Sequence, residues 1–247
     1  MSGRLQAMTT WIGLDGPVAR TALLCWYAFV VSVCFLLAFV PYLLFERLVG
    51  WQPSHLAVWL GALSLAPAGP ALCGLLGSMR VLVGDRDYPG NPVRQFVAAI
   101  RAGSPRLRRL WWAVPPAALL LGYDAVLYGD AVPAAPALVA LAGVLATVLL
   151  VGMTVVGSGG TDGLRSAAHA TLSSFLRRPL IPLAWLTLLA GAVLVTRLPV
   201  VGPSLLLFVP AGWAAAVDVV NRSWGFPSRS RPAPAGGPTD AASERAR

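Results

Sequence analysis

The sequence predicts an all-α integral membrane protein, a six-helix transmembrane bundle with two short amphipathic helices on its cytoplasmic side. Three observations carry that class. Residues 22–45 are 24 consecutive positions without a formal charge, enough at 1.5 Å per residue to cross roughly 30 Å of hydrocarbon. The chain is 57% hydrophobic and only 12% charged, where a soluble domain carries about 25% charged residues. All 19 basic residues are Arg, and they fall on alternate sides of the apolar runs.

The remaining runs follow in order. Residues 56–79 form a second span, broken by Pro67, Gly69 and Pro70. Residues 110–128 form a third, containing Asp124, and residues 136–156 a fourth. Residues 180–196 and 199–220 form the fifth and sixth, the last containing Asp218. Transmembrane strands are about 10 residues long with strict alternation, and these runs are longer and apolar on all sides. Residues 1–21 form a short arm before this membrane domain of residues 22–220. Residues 221–247 form a basic tail rich in Pro, Gly, Ser and Ala, a composition that cannot bury a core and is expected to be disordered.

With these spans, 17 Arg residues lie on one side, and only Arg47 and Arg197 on the other. The positive-inside rule then places both termini in the cytoplasm of a cell with an inner membrane. The +9 net charge is accordingly a topology signal and an attraction to anionic headgroups, not a nucleic-acid footprint. Trp51, Trp111, Trp112 and Trp224 are placed as interface anchors. Trp26, Trp59, Trp185 and Trp213 are placed as packing residues inside spans.

The 30-residue basic loop 80–109 opens on a turn-rich stretch, residues 84–92. In residues 93–102, Val93, Phe96, Val97 and Ile100 are apolar at helical spacing while Arg94 and Arg101 face away, which predicts a short helix on the membrane surface. Leu164, Ala168, Leu172 and Phe175 predict a second such helix, capped by Thr161 or Asp162. The two segments echo each other. Arg108-Arg109 and Arg177-Arg178 each precede an apolar run, and their landmarks are offset by 69 residues, as in a parallel repeat. Together with Arg106 these four arginines, Arg94 and Arg101 form a basic cytoplasmic face.

The stretch Pro67-Ala68-Gly69-Pro70-Ala71-Leu72, followed by a basic loop with an aromatic-bearing helix and a third span, resembles the YesL-like family of bacterial multi-spanning membrane proteins of unknown function. The resemblance covers roughly residues 21–221. It departs at the Phe-Trp pair common in the family's surface helix, where Gln95-Phe96 stands. Family members are often encoded beside carbohydrate uptake systems, which implies a role accessory to solute import. The resemblance carries no catalytic residue over.

Asp124 and Asp218 are the acidic residues inside the spans. Buried charge is costly there and marks function or a partner. Asp124 either lines a polar cavity or reaches the external interface, and Asp218 can pair with Arg222 at i,i+4. The Pro67–Pro70 break is either a substrate-binding discontinuity or a kink that lets Gly69, Cys73 and Gly77 pack closely on a neighbour. Cys25, Cys34 and Cys73 form no metal or redox pattern and are expected to pack as buried apolar groups. Residues 157–163 are glycine-rich but lack the Lys of a phosphate loop. No nucleophile–base or acid–base constellation stands out, so no enzyme, cofactor or metal site is expected. Two readings of function remain. One is a transport-associated protein with solute-importer subunits as partners. The other is a membrane scaffold or assembly protein docking partners or anionic lipid through its arginine face, and either can be a homo-oligomer.

Overall fold

The computed structural model describes residues 17–50, 54–84, 90–128, 135–158, 164–199 and 202–225. The sequence expectations for residues 1–16, Trp51, the turn at 85–89, the glycine-rich turn with Thr161 and Asp162, and the tail from residue 226 onward lie outside these. The described residues are helical, with no strand among them. In chain order they are α1 (Pro17–Ala38), α2 (Val40–Leu48), α3 (His55–Ser64), α4 (Ala68–Gly84), α5 (Pro92–Tyr128), α6 (Ala135–Ser158), α7 (Leu164–Arg177), α8 (Leu180–Thr196), α9 (Gly202–Leu205) and α10 (Val209–Ser223). Three stretches are long and apolar enough to cross a membrane: Val18–Ala38, His55–Gly84 and Pro136–Gly157. A fourth is possible if α7 and α8, bent by 93° to each other, count as one broken span.

Helix starts follow the local chemistry. Ser54 accepts a hydrogen bond from the Ala57 backbone N–H at 3.3 Å. Asn91 Oδ1 accepts from the N–H groups of Val93 and Arg94 at 3.0 and 3.2 Å, and Pro92 occupies the first helical position, where its missing N–H costs nothing. Asn91→Ala should therefore destabilise the fold by about 1 kcal/mol. Thermal melting in detergent checks this, with Asn91→Ser expected to keep most of the stability.

Residues 93–102 are not a separate surface helix. They are the first part of α5, which runs unbroken for 37 residues. Its side chains also sort differently from the expectation: Phe96 is buried, while Val93 and Val97 are 47% and 37% exposed. The cause is α4, which lies against α5 and uses Phe96 as a packing residue. Gly69 abuts the root of the Trp111 side chain, Gly74 the Phe96 ring, Gly77 the Ala99 methyl, and Cys73 approaches Gly103. Farther along, the His55 ring meets the Tyr123 hydroxyl at 2.8 Å. The α3–α4 arm and α5 thus run antiparallel in one continuous register. Most of the expected 30-residue loop consists of the adjoining ends of α4 and α5.

The register also sets which parts of α4 and α5 are neighbours. Because Gly69 sits beside Trp111, residues 72–84 run alongside the arginine-bearing part of α5 and not alongside residues 110–128.

The second amphipathic segment is a helix, α7, but its buried side carries Ala167 and Thr171, and Leu172 is 56% exposed. Small side chains win this face because α7 crosses α6 at Gly152, where an added Cβ would meet Thr171 and Phe175. The repeat does not extend to shape. Pro179 restricts Arg178 to non-helical backbone and the chain turns by 93°, whereas Leu110 follows Arg109 and α5 continues.

Of the expected interface anchors, Trp111 is buried and packs on Gly69, while Trp112 is 70% exposed. Trp185 is buried and Trp213 partly so, but Trp26 and Trp59 are exposed on the outside of the bundle. Cys73 is buried, Cys34 is partly so, and Cys25 is exposed, against the expectation that all three are buried. The main core gathers Tyr27 and Val31 from α1, Leu75 and Met79 from α4, Val155 from α6, Trp185 from α8 and Val217 from α10.

Candidate functional site

Two features stand out where the helices meet: a charged cluster at one end of α4, α6 and α10, and an apolar cavity beside the helix breaks. In the first, Asp218 is 5% exposed. Its Oδ2 lies 2.7 Å from Arg222 Nε, the i,i+4 pair the spacing predicts, and its Oδ1 lies 3.7 Å from Arg80 Nε. Arg80 donates to the Val155 carbonyl at 3.3 Å. Arg222 donates to the carbonyls of Arg80 at 3.0 Å and Val83 at 3.4 Å. Asn221, buried on the same helix, accepts from Trp185 Nε1 at 3.1 Å.

The cluster is close to electrically closed. Two guanidinium groups meet one carboxylate and the C-terminal ends of α4 and α6, each of which acts as about half a negative charge. Such a set ties three helices together and leaves no charge over for a ligand. The sequence placed Arg80 in a loop and so missed it. The signal was there: Val81, Leu82 and Val83 continue the apolar run past Arg80.

The second feature arises where helices are interrupted. The chain breaks at Phe39 between α1 and α2, at Leu65–Pro67 between α3 and α4, and at Leu206–Phe208 between α9 and α10. Pro41, Pro70 and Pro210 lack the N–H that the carbonyls of Leu37, Ala66 and Leu206 would otherwise accept. Backbone bonds one residue shorter than helical close the turns there: Phe39 to Leu36, Ala66 to Leu63, and Phe208 to Leu205, at 2.8–3.0 Å. All three breaks border one cavity of about 520 Å³, through Phe39, Leu65 and Leu206.

Its walls are apolar. The hydroxyls of Thr147 and Thr196 are used by the Gly143 and Val193 carbonyls of their own helices. The Trp213 indole N–H is buried and has no hydrogen-bond partner among the described residues. The cavity is not closed, since Val193 and Leu206 on its wall are exposed. Water does not suit it, because each buried water needs two to four polar partners.

The remaining sequence candidates separate. Pro67 and Pro70 are partly buried at the α3–α4 break. Gly69 is covered by Trp111 and does not border the cavity. Asp124 is exposed on α5 and is not part of the cavity wall. Arg94, Arg101, Arg108, Arg109, Arg177 and Arg178 are exposed, and Arg106 lies between them on α5. His55 and His169 lie far apart in the chain, with His55 engaged by Tyr123. No protein-family model, curated protein or solved structure matches the chain.

Proposed function

We propose that the chain is a six-span inner-membrane protein with both termini cytoplasmic, and that it works by docking partners on its arginine face, not by carrying a polar solute. The fifth and sixth spans of this reading are α8 and the α9–α10 pair. α7 lies at the membrane surface and turns at right angles into α8. Contacts between helix ends fit the topology: Arg80, Val83, Val155 and Arg222 meet at one end, and His55 and Tyr123 at the other.

The observation that carries the docking reading is the contrast between the two sets of charges. Asp218, Arg80 and Arg222 are consumed by one another and by helix ends, and the cavity offers no polar path. Arg101, Arg108, Arg109 and Arg177 stand exposed. Solute-importer subunits are the partner class that the YesL-like resemblance favours, which makes the protein an accessory to uptake. Anionic lipid is the second occupant that such a face attracts.

The test is a variant with Arg101, Arg108, Arg109 and Arg177 all changed to Gln. Exposed substitutions of this kind shift stability by about 0.5 kcal/mol or less each, so the protein should still accumulate and purify as a folded species. Importer subunits that co-purify near stoichiometrically with the native protein should be lost. Saturable flux of a sugar across proteoliposomes containing the protein alone would overturn the reading.

A further inference from the structure

We infer that the cavity beside the three helix breaks is a binding site for one acyl chain of a membrane lipid. This goes beyond the docking reading and does not depend on the arginine face; it needs only that the bundle sits in a bilayer. The lining residues on and beside α4 run from Leu65 to Leu75, about 15 Å of helix rise, so the space is elongated and takes a chain that is partly folded or partly outside the mouth. Its volume of about 520 Å³ falls in the range of small-molecule sites, roughly 300–1,000 Å³. The inner end reaches Leu75 and Val151 of the buried core.

The mouth is what selects the occupant. Val193 and Leu206 on the cavity wall are 51% and 44% exposed. Leu194 and Leu207 beside them in the chain are 70% and 37% exposed. An opening framed by such side chains faces hydrocarbon and not water, so the molecules at the door are lipid chains. Thr147 and Thr196 donate their hydroxyl protons to their own helices, so among the described wall residues the Trp213 indole N–H is the donor left without a partner. Phe39, Leu65 and Leu206, where three helical runs are interrupted, all lie on the cavity wall.

Trp213 lines the cavity and serves as the reporter. The full chain is reconstituted in nanodiscs of phosphatidylglycerol with either ordinary or 9,10-dibromostearoyl chains. The Trp213 emission is isolated as the difference between the native protein and Trp213→Phe. It should be quenched at least twofold in brominated discs, and native mass spectrometry after delipidation should retain one phosphatidylglycerol per protomer. Ala192→Phe fills the cavity and should abolish both signals. Ala190→Phe, on an exposed position of the same helix outside the cavity wall, should change neither. If Ala192→Phe does not fold, Val193→Trp at the exposed rim replaces it with the same expectation. Equal Trp213 emission in both kinds of disc overturns the proposal, as does quenching that survives Ala192→Phe or is lost equally with Ala190→Phe.

Discussion

Asp218→Ala is expected to be the most damaging single charge change in the protein, costing about 3–5 kcal/mol. Asp218 is 5% exposed and holds Arg222 at 2.7 Å and Arg80 at 3.7 Å. Removing it leaves two guanidinium groups beside each other with only helix-end carbonyls to balance them. Its neutral isostere Asp218→Asn keeps the shape but not the charge, and should lose nearly as much. Removing a cation instead leaves a partner in place, so the order is graded. Arg80→Ala also removes one donor from the Val155 carbonyl and should cost less than Asp218→Ala. The Arg222 side chain is 40% exposed, so water screens its ion pair, which is worth about 0–1 kcal/mol; its loss should be the mildest. For a domain of this size, the Asp218→Ala cost corresponds to a melting-point drop of roughly 6–20 °C. Replacing Arg80 and Asp218 together by Leu should recover part of the loss, because the uncompensated charge goes with its partner. A melting point for Asp218→Ala equal to that of the native protein would show that the cluster does not hold the helices together.

How much of this was readable in the chain depends on distance along it. The i,i+4 spacing of Asp218 and Arg222 is a local property, and the pair forms. The Pro67–Pro70 stretch announces a break, and the helix does break there. The Arg80 partnership is a contact across 138 positions of sequence, which no local pattern encodes. Residues 93–102 carry a helical period that is real, but the period says nothing about where the helix stops. The arginine-rich stretch before residue 110 suggests a boundary, and packing along α4 overrides it. Trp111 illustrates the same limit. An aromatic beside two arginines reads as an interface anchor, yet Gly69 leaves a notch into which its side chain fits. The cavity is the least legible feature. Pro41, Pro70 and Pro210 each mark a weak point in one helix, and only the folded bundle brings the three weak points together.

That notch is one of several, and the sharpest test of the α4–α5 packing is Gly77→Ala. A methyl group added at Gly77 would lie 2.6 Å from the Ala99 methyl, closer than two carbons can sit. Ala99 has no rotamer to move into, so the backbones must separate. Overpacking of this kind costs about 1–3 kcal/mol, against a gain of up to about 1 kcal/mol from replacing Gly by Ala inside a helix. The net effect should be a loss. At Gly74 the obstacle is the far edge of the Phe96 ring, which can turn, so Gly74→Ala should be milder. The decisive measurement is the cycle with Ala99→Gly. If the clash is the cause, Gly77→Ala with Ala99→Gly exchanges the methyl across the interface and should melt within a degree or two of the Ala99→Gly single variant. If Gly77→Ala is as stable as the native chain, or if Ala99→Gly does nothing to rescue it, the two helices do not approach at that point and the register from Gly69–Trp111 to Gly77–Ala99 is wrong. The outcome reaches further than one contact, because that register sets which part of α4 lies beside the arginines of α5, and hence where the membrane boundary falls on both helices.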